Sequence, residues 1–332
     1  MSLHLTKLQK QLCNELQDGL PICSRPFADL AEFLNTDEKT LLHEIGQLKR
    51  AGLIRRLSAL TNYRALGLVS TLVAAHIPQE HLQEVAEAVN SLENVSHSYL
   101  RKHYYNLWFT LQAESMVQIE LTLSNLSARF GIDFRSLPVE RVFKLDVRFD
   151  AESKGQSLLR DVERAPEQIP QGKTVKLNES QKLILSKLQD DFDLTAKPFD
   201  FLCAEGLGEQ EVLGIITELI DKGVIRRIAG VVDHRKLGFS ANVLFCCEVK
   251  QDRIAEAGKR LARFGIVSHC YQRKTFENWP YNLFAMMHSR SMGEIQRVIN
   301  EFIEAEKTES FQLLPTAAEL KKQPVKHQFR SS

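Results

Sequence analysis

Val95-Ser96-His97-Ser98-Tyr99-Leu100-Arg101-Lys102 returns 172 residues later as Val267-Ser268-His269-Cys270-Tyr271-Gln272-Arg273-Lys274. Other strings return in the same order. Ile54-Arg55-Arg56 reappears as Ile225-Arg226-Arg227, Leu66-Gly67 as Leu237-Gly238, Tyr105-Asn106-Leu107 as Tyr281-Asn282-Leu283, and Leu137-Pro138 as Leu314-Pro315, at offsets of 171, 171, 176 and 177. Offsets that drift by a few residues while order is kept identify two diverged copies of one module. Between the copies, Ala151 to Lys176 is polar and carries Gly155, Pro166, Pro170 and Gly172, the composition of a linker.

Within the first copy, Leu5, Leu8, Leu12 and Leu16 have helical spacing, Pro26 to Leu34 makes a second helix, and Asp37 to Ala51 a third with Leu41, Ile45 and Leu48 inward. Asn35 or Thr36 is the expected N-cap of the third helix and Gly52 its stop. Leu53 to Thr61 then reads as a β-wing, completing a winged helix-turn-helix. After Leu66-Gly67 the pattern becomes strand Ser70 to Ile77, helix Gln79 to Leu92, strand Val95 to Arg101, strand Leu107 to Ala113, helix Ser115 to Phe130, and a last strand near Val139 to Phe149. That order is the ferredoxin-like βαββαβ arrangement. The second copy repeats it from Ala241, with a last strand at Phe311 to Leu314.

The expected fold is therefore α+β, a tandem repeat. Winged helix-turn-helix 1 occupies 1–62, ferredoxin-like domain 1 63–150, the linker 151–176, winged helix-turn-helix 2 177–233 and ferredoxin-like domain 2 234–329. The copies are expected to pair as an intramolecular pseudo-dimer, with a further homodimer left open.

At 332 residues and 43% hydrophobic composition, the chain can fill several cores. With 43 basic against 42 acidic residues, net charge +1, there is no global field for nucleic acid or membrane. No apolar run approaches the roughly 18 residues of a membrane span and no secretory core follows Met1, so a cytoplasmic protein is expected. Cys13, Cys23, Cys203, Cys246, Cys247 and Cys270 form no CxxC pair, which favours free thiols over a zinc site or disulfides.

A helix-turn-helix raises the alternative of a ligand-responsive DNA-binding regulator, and the charges then have to agree. In Asp37 to Ala51, Asp37, Glu38 and Glu44 balance Lys39, Lys49 and Arg50; in Gly208 to Gly223, Glu209, Glu211, Glu218 and Asp221 face only Lys222. Helices of net charge near zero and −3 suit a phosphate backbone poorly, so DNA is not an expected partner despite Arg55, Arg56, Arg226 and Arg227.

Strand alternation puts Val95, His97, Tyr99 and Arg101 on one face, and Val267, His269, Tyr271 and Arg273 on one face of the second copy. One such triplet of polar residues is ordinary for a solvated sheet face. Its recurrence while helix charges drifted sets beside that reading an equal one, a surface for a carboxylate-rich aromatic ligand. Arg141 aligns with the apolar Phe143, Leu145, Val147 and Phe149, leaving Lys144, Asp146 and Arg148 opposite. An arginine on an apolar face needs a partner, which a ligand carboxylate or a protein carboxylate would supply equally. Nearby, Arg135, His103, Tyr105 and Trp108 in the first copy, and Lys274, Trp279, Tyr281 and His288 in the second, mix aromatic and basic groups in a way that suits a flat polyanion, while Trp108 and Trp279 taken singly suit ordinary sheet packing better. No GxGxxG, P-loop, GxSxG or HExxH is present.

The module order resembles the feast/famine (Lrp/AsnC) regulators. His97-Ser98-Tyr99-Leu100-Arg101-Lys102-His103-Tyr104-Tyr105-Asn106-Leu107-Trp108-Phe109, and the segment from Leu137 to Asp150, resemble the D-type half of the siroheme decarboxylases. Cys270-Tyr271-Gln272-Arg273 and Trp279-Pro280-Tyr281-Asn282-Leu283-Phe284-Ala285-Met286-Met287-His288 resemble the L-type half, so the resemblance spans the chain. It implies a carboxy-lyase that removes carbon dioxide from two acetates of siroheme to give 12,18-didecarboxysiroheme, for haem d1 or an alternative haem route, with no cofactor beyond the substrate. For that chemistry His97 and His269, with Tyr99 and Tyr271, are the candidate proton donors or ligands to the substrate's iron. Arg101, His103, Arg135, Arg141, Lys144, Arg273, Lys274, Trp279, Tyr281 and His288 are then the expected substrate-binding residues. Half two departs from the D-type pattern at Leu314 to Lys321, where Ala318 stands in the place of Arg141. Only one full set of carboxylate anchors is expected.

Overall fold

A computed structural model describes residues 4–145, 148–151, 174–308 and 310–327. Most of the expected linker, 152–173, and positions 146 and 147 of the first copy's last strand lie outside the described residues. The chain divides into two compact units, each containing parts of both copies: 1–67 with 148–238 and 327–332, and 68–147 with 239–326.

The first unit collects the helix-turn-helix elements. From the first copy come α1 (Lys7–Asp18), α2 (Pro26–Phe33), α3 (Glu38–Arg50) and β1 (Ile54–Thr61). α4 (Leu82–Ser91) and α5 (Met116–Phe130) lie in the second unit; the second copy contributes α6 (Glu179–Leu188), α7 (Glu209–Asp221) and β6 (Ile225–Val232) to the first. Pro26 opens α2 at a position where a missing N–H costs nothing. The N-cap of α3 is Asp37, whose carboxylate accepts from the Thr40 amide at 2.9 Å; Asn35 instead takes the turn, at φ 53°. Gly52, at φ 66°, reverses the chain after α3.

The expected wing does not form as a local hairpin. β1 pairs antiparallel with β6, its counterpart in the other copy, from Ile54↔Val232 to Thr61↔Ile225. The two copies thereby satisfy each other's backbone groups. The wing arginines have partners within the protein: Arg55, exposed, pairs with Asp233 at 2.8 Å, and Arg56, half-buried, donates to Ser58 Oγ at 3.0 Å. Lys49 places its ammonium 2.8 Å from both oxygens of Asp191. Gln17 brackets the amide and carbonyl of Phe149, and Gln189 does the same to His327, one clamp for each copy.

The second unit is an eight-stranded closed barrel. The first copy supplies β2 (Val69–Ala75), α4 (Leu82–Ser91), β3 (Val95–Arg101), β4 (Leu107–Ala113), α5 (Met116–Phe130) and β5 (Phe134–Leu145). The second supplies β7 (Ala241–Cys247), α8 (Ile254–Arg263), β8 (Val267–Arg273), β9 (Leu283–Ser289), α9 (Met292–Glu306) and β10 (Phe311–Lys322). Strand order is β10-β3-β4-β2-β5-β8-β9-β7, closing back on β10. β5 starts five residues before the expected Val139 and β10 runs eight residues past the expected Leu314, because each serves two sheets. β5 pairs with β2 through Pro138 and with β8 from Val139 on; β10 pairs with β7 through Pro315 and with β3 from Thr316 on. This exchange leaves neither four-stranded sheet with an open edge.

Helices cover the outside of the barrel over two cores, one built on Val73, Phe109, Leu111 and Ile119, the other on Val243, Phe245, Met287 and Phe302. Inside lies a third, smaller cluster of Ala74, Trp108, Leu137, Leu244, Cys246, Trp279, Phe284 and Leu314. All six cysteines are free, with Cys13, Cys246, Cys247 and Cys270 buried. Among the described residues no helix is long and apolar enough to cross a membrane.

Phe143 of β5 packs into the second copy's outer core, where a Cβ on Gly258 of α8 would run into its ring. Gly258→Ala is expected to destabilise the protein by about 1–3 kcal/mol through overpacking. Adding Phe143→Leu should recover part of that loss in denaturant unfolding. No recovery would mean that the two residues do not meet.

Candidate active site

A register break in β3 between Val95 and His97 and its twin in β8 between Val267 and His269 decide what the barrel interior contains. Simple alternation would keep Val95 with His97. Instead each valine joins an outer core and the histidine turns inward, because a bulge inserts one extra residue and flips the face. Tyr99 lies opposite Trp108 and Tyr271 opposite Phe284, both members of the inner cluster. Each copy therefore presents His-x-Tyr-x-Arg to the interior.

The serine inside each bulge orients the histidine: Ser96 Oγ is 2.9 Å from His97 Nδ1 and Ser268 Oγ 2.9 Å from His269 Nδ1. Ser268 also donates its proton to the Met286 carbonyl, at 3.2 Å. His269 Nδ1 must then be the donor, which in a neutral ring leaves the lone pair on Nε2.

Arg101 is 5% exposed. Its Nη1 donates to the Leu314 carbonyl at 2.5 Å and to Thr316 Oγ1 at 3.3 Å, while its buried Nε has no acceptor. Burial holds the guanidinium down to about 10. Its partners are neutral, so a buried cation lacks a carboxylate in this site. The bonding continues across the copies: Thr316 Oγ1 donates to Asn242 Oδ1 at 3.1 Å, and Asn242 Nδ2 lies 3.3 Å from Nδ1 of the buried His288. Arg273 mirrors Arg101, donating to the Leu137 carbonyl at 2.8 Å with its guanidinium 4.9 Å from the Tyr271 ring centroid. There the residue in register is Val139, which has no hydroxyl to pass a bond along.

The structure brings His97, Tyr99, Arg101 and His288 together, and separately His269, Tyr271 and Arg273. His103, Trp279 and Tyr281 join an aromatic group: His103 meets Trp279 edge-on at 5.6 Å, and burial lowers its basicity. Tyr281 lies 4.8 Å from Trp279 and accepts from Gln312 at 3.1 Å. Trp279 is buried with its Nε1 hydrogen unused. Arg135 is exposed and pairs with Asp133, and Lys274 is exposed.

Two expected anchors are turned away from this face. The bulges in β5 set Arg141 opposite Gln272, the residue between Tyr271 and Arg273, and leave it exposed. Arg141 is therefore not a buried charge in need of a partner. Lys144 donates to the Phe264 carbonyl at 3.1 Å, at the C-terminus of α8, where a cation meets the negative end of the helix dipole. Sequence reading passed over Thr316, Glu319, Lys322 and Asn242. Thr316, Glu319 and Lys322 face the interior only because β10 runs on past Leu314 to pair with β3, and Asn242 faces it from β7, opposite His288.

Comparison with known proteins follows the same layout. An AsnC-like ligand binding domain model matches residues 65–144 and 236–321, one segment in each copy. A siroheme decarboxylase NirDL-like HTH domain model matches residues 9–55. The chain is 36% identical to a siroheme decarboxylase of Hydrogenobacter thermophilus over 94% of its own length and 92% of the relative's. The chain belongs to the siroheme decarboxylase family. The siroheme decarboxylase NirDL subunit of Paracoccus pantotrophus is 32% identical over 88% of both chains. A crystal structure of the siroheme decarboxylase NirDL superposes with a TM-score of 0.71 at 31% identity, covering 97% of this chain and 94% of that one. A second, in complex with an iron-uroporphyrin III analogue, gives 0.70 at 32% identity. The NirD subunit of Pseudomonas aeruginosa matches 44% of this chain with 97% of its own, so the family contains single modules as well as tandem ones.

Proposed function

We propose that this chain removes carbon dioxide from two acetate side chains of siroheme, giving 12,18-didecarboxysiroheme for haem d1 or an alternative haem route. What carries the reading is the full-length similarity to a siroheme decarboxylase, 36% over 94% of the chain. The buried Arg101, which lacks a carboxylate partner, supports it from the side of the chemistry.

In each step the bond between the acetate methylene and its carboxylate breaks, carbon dioxide leaves, and the electron pair stays on the methylene. The conjugated macrocycle accepts that pair by delocalisation, so no cofactor beyond the substrate is invoked. A proton then converts the methylene to a methyl group. Arg101 and Arg273 hold spectator carboxylates as charge-assisted acceptors, and the apolar wall of Trp108, Phe284 and Leu314 keeps water from the reacting one. His97 and His269 deliver the protons, with Tyr99 and Tyr271 beside them, the ring centroids 6.4 Å and 5.9 Å apart.

This reading gives DNA no part, since Lys49 and Arg55 are paired with the carboxylates of Asp191 and Asp233 and Arg56 donates to Ser58. Anaerobic incubation with siroheme should produce successive mass losses of one and two carbon dioxide units. Loss of none sinks the enzyme reading, and salt-sensitive binding to duplex DNA would revive the regulator.

A further inference from the structure

The two inner faces carry the same triplet but meet different strands. In the first copy's face, β10 sets Thr316 opposite Arg101, Glu319 opposite Tyr99 and Lys322 opposite His97. In the other, β5 sets Val139 opposite Arg273, Val142 opposite Tyr271 and Leu145 opposite His269. Each His-x-Tyr-x-Arg is thus completed by the other copy's last strand, and only the His97 face receives charge from it.

Lys322 Nζ and Glu319 Oε2 are 3.7 Å apart, with side chains 23% and 15% exposed. At that separation these two atoms form an ion pair without a hydrogen bond between them. Charges so far withdrawn from water cost desolvation energy, and an apolar pair commonly serves stability as well or better. The fold accepts the apolar pair, because Val142 and Leu145 occupy the equivalent positions. Helix capping does not account for Lys322 either: its neighbour Lys321 performs that task, donating to the Asn90 and Leu92 carbonyls at 2.8 and 2.7 Å.

We propose that Glu319 and Lys322 are specificity-determining residues that set the orientation of siroheme on the His97 face, and so which acetate is lost there. This rests on the siroheme reading above. The rim of siroheme carries acetates and propionates whose order reverses at one ring, so each rotation or flip of the macrocycle presents a different spacing of carboxylates. A cation and an anion three residues apart on the bulged strand draw a rim carboxylate to one point and repel it from the next. Orientation by paired attraction and repulsion is the general means of discriminating near-equal binding modes. The His269 face, lined by Val139, Val142 and Leu145, lacks this key.

The test compares the full-length parent with Lys322→Leu, which takes the other copy's residue, and Glu319→Gln, which keeps shape and removes charge. Iron-uroporphyrin III binding is read by absorbance titration, and early siroheme turnover by separating the monodecarboxylated isomers. Lys322→Leu is expected to weaken iron-uroporphyrin III about tenfold and raise KM with kcat held within about threefold. Glu319→Gln is expected to keep or tighten binding and to shift the isomer ratio at least about threefold from the parent's. Parental affinity in the first variant, or a parental isomer ratio in the second, overturns the assignment of that residue. A parent that binds iron-uroporphyrin III but releases no carbon dioxide from siroheme refutes the siroheme reading instead, and the binding comparison still reports on Lys322.

Discussion

Replacing His97 or His269 with alanine should each slow siroheme decarboxylation about 100-fold or more, the contribution expected of a positioned general acid. Both imidazoles reach the barrel interior through a bulge whose serine fixes the ring at Nδ1, an arrangement that defines which nitrogen meets the ligand. Single-turnover rates with iron-uroporphyrin III affinity measured alongside separate proton delivery from binding. Because the facing strands differ, the two variants should differ in how far they carry the substrate, one accumulating the monodecarboxylated product more than the other. Rates near the parent's from both variants would remove the histidines from the chemistry.

The second large effect concerns Arg101. Exchange for methionine removes a buried cation whose Nε has no acceptor and whose Nη1 is satisfied by neutral oxygens. In the ligand-free protein that change should leave thermal stability equal or higher, since an uncompensated buried charge is a cost. Affinity for iron-uroporphyrin III should fall by about 2 kcal/mol or more, some 30-fold. Stability and binding moving in opposite directions is the signature of a residue retained for its ligand. Arg101→Met with parental affinity, or with stability lost in proportion, would make the guanidinium a packing element.

Together with Arg101, the network through Thr316 and Asn242 to His288 explains how a side chain of each copy contributes to one face. His288 was legible in the sequence as one of several basic groups near aromatics. Its link to Arg101 was not, because nothing local to Thr316 or Asn242 indicates that they meet across 74 residues.

What the sequence by itself determined was the duplicated module, the order of helices and strands in each copy, and the recurring His-x-Tyr-x-Arg. Those follow from periodicity and self-similarity, which are local or additive properties of the chain. The tertiary structure alone decided the pairing. β1 takes β6 as its partner where a wing was expected, β10 continues to Lys322, and β5 and β10 cross between copies. Backbone hydrogen bonds between strands carry no side-chain signature, so two edges that can each close a sheet are indistinguishable in sequence. The bulges decided the rest, turning Val95, Arg141 and Lys144 away from the interior and Lys322 toward it. One inserted residue reverses every side chain beyond it, and strict alternation cannot anticipate where it falls.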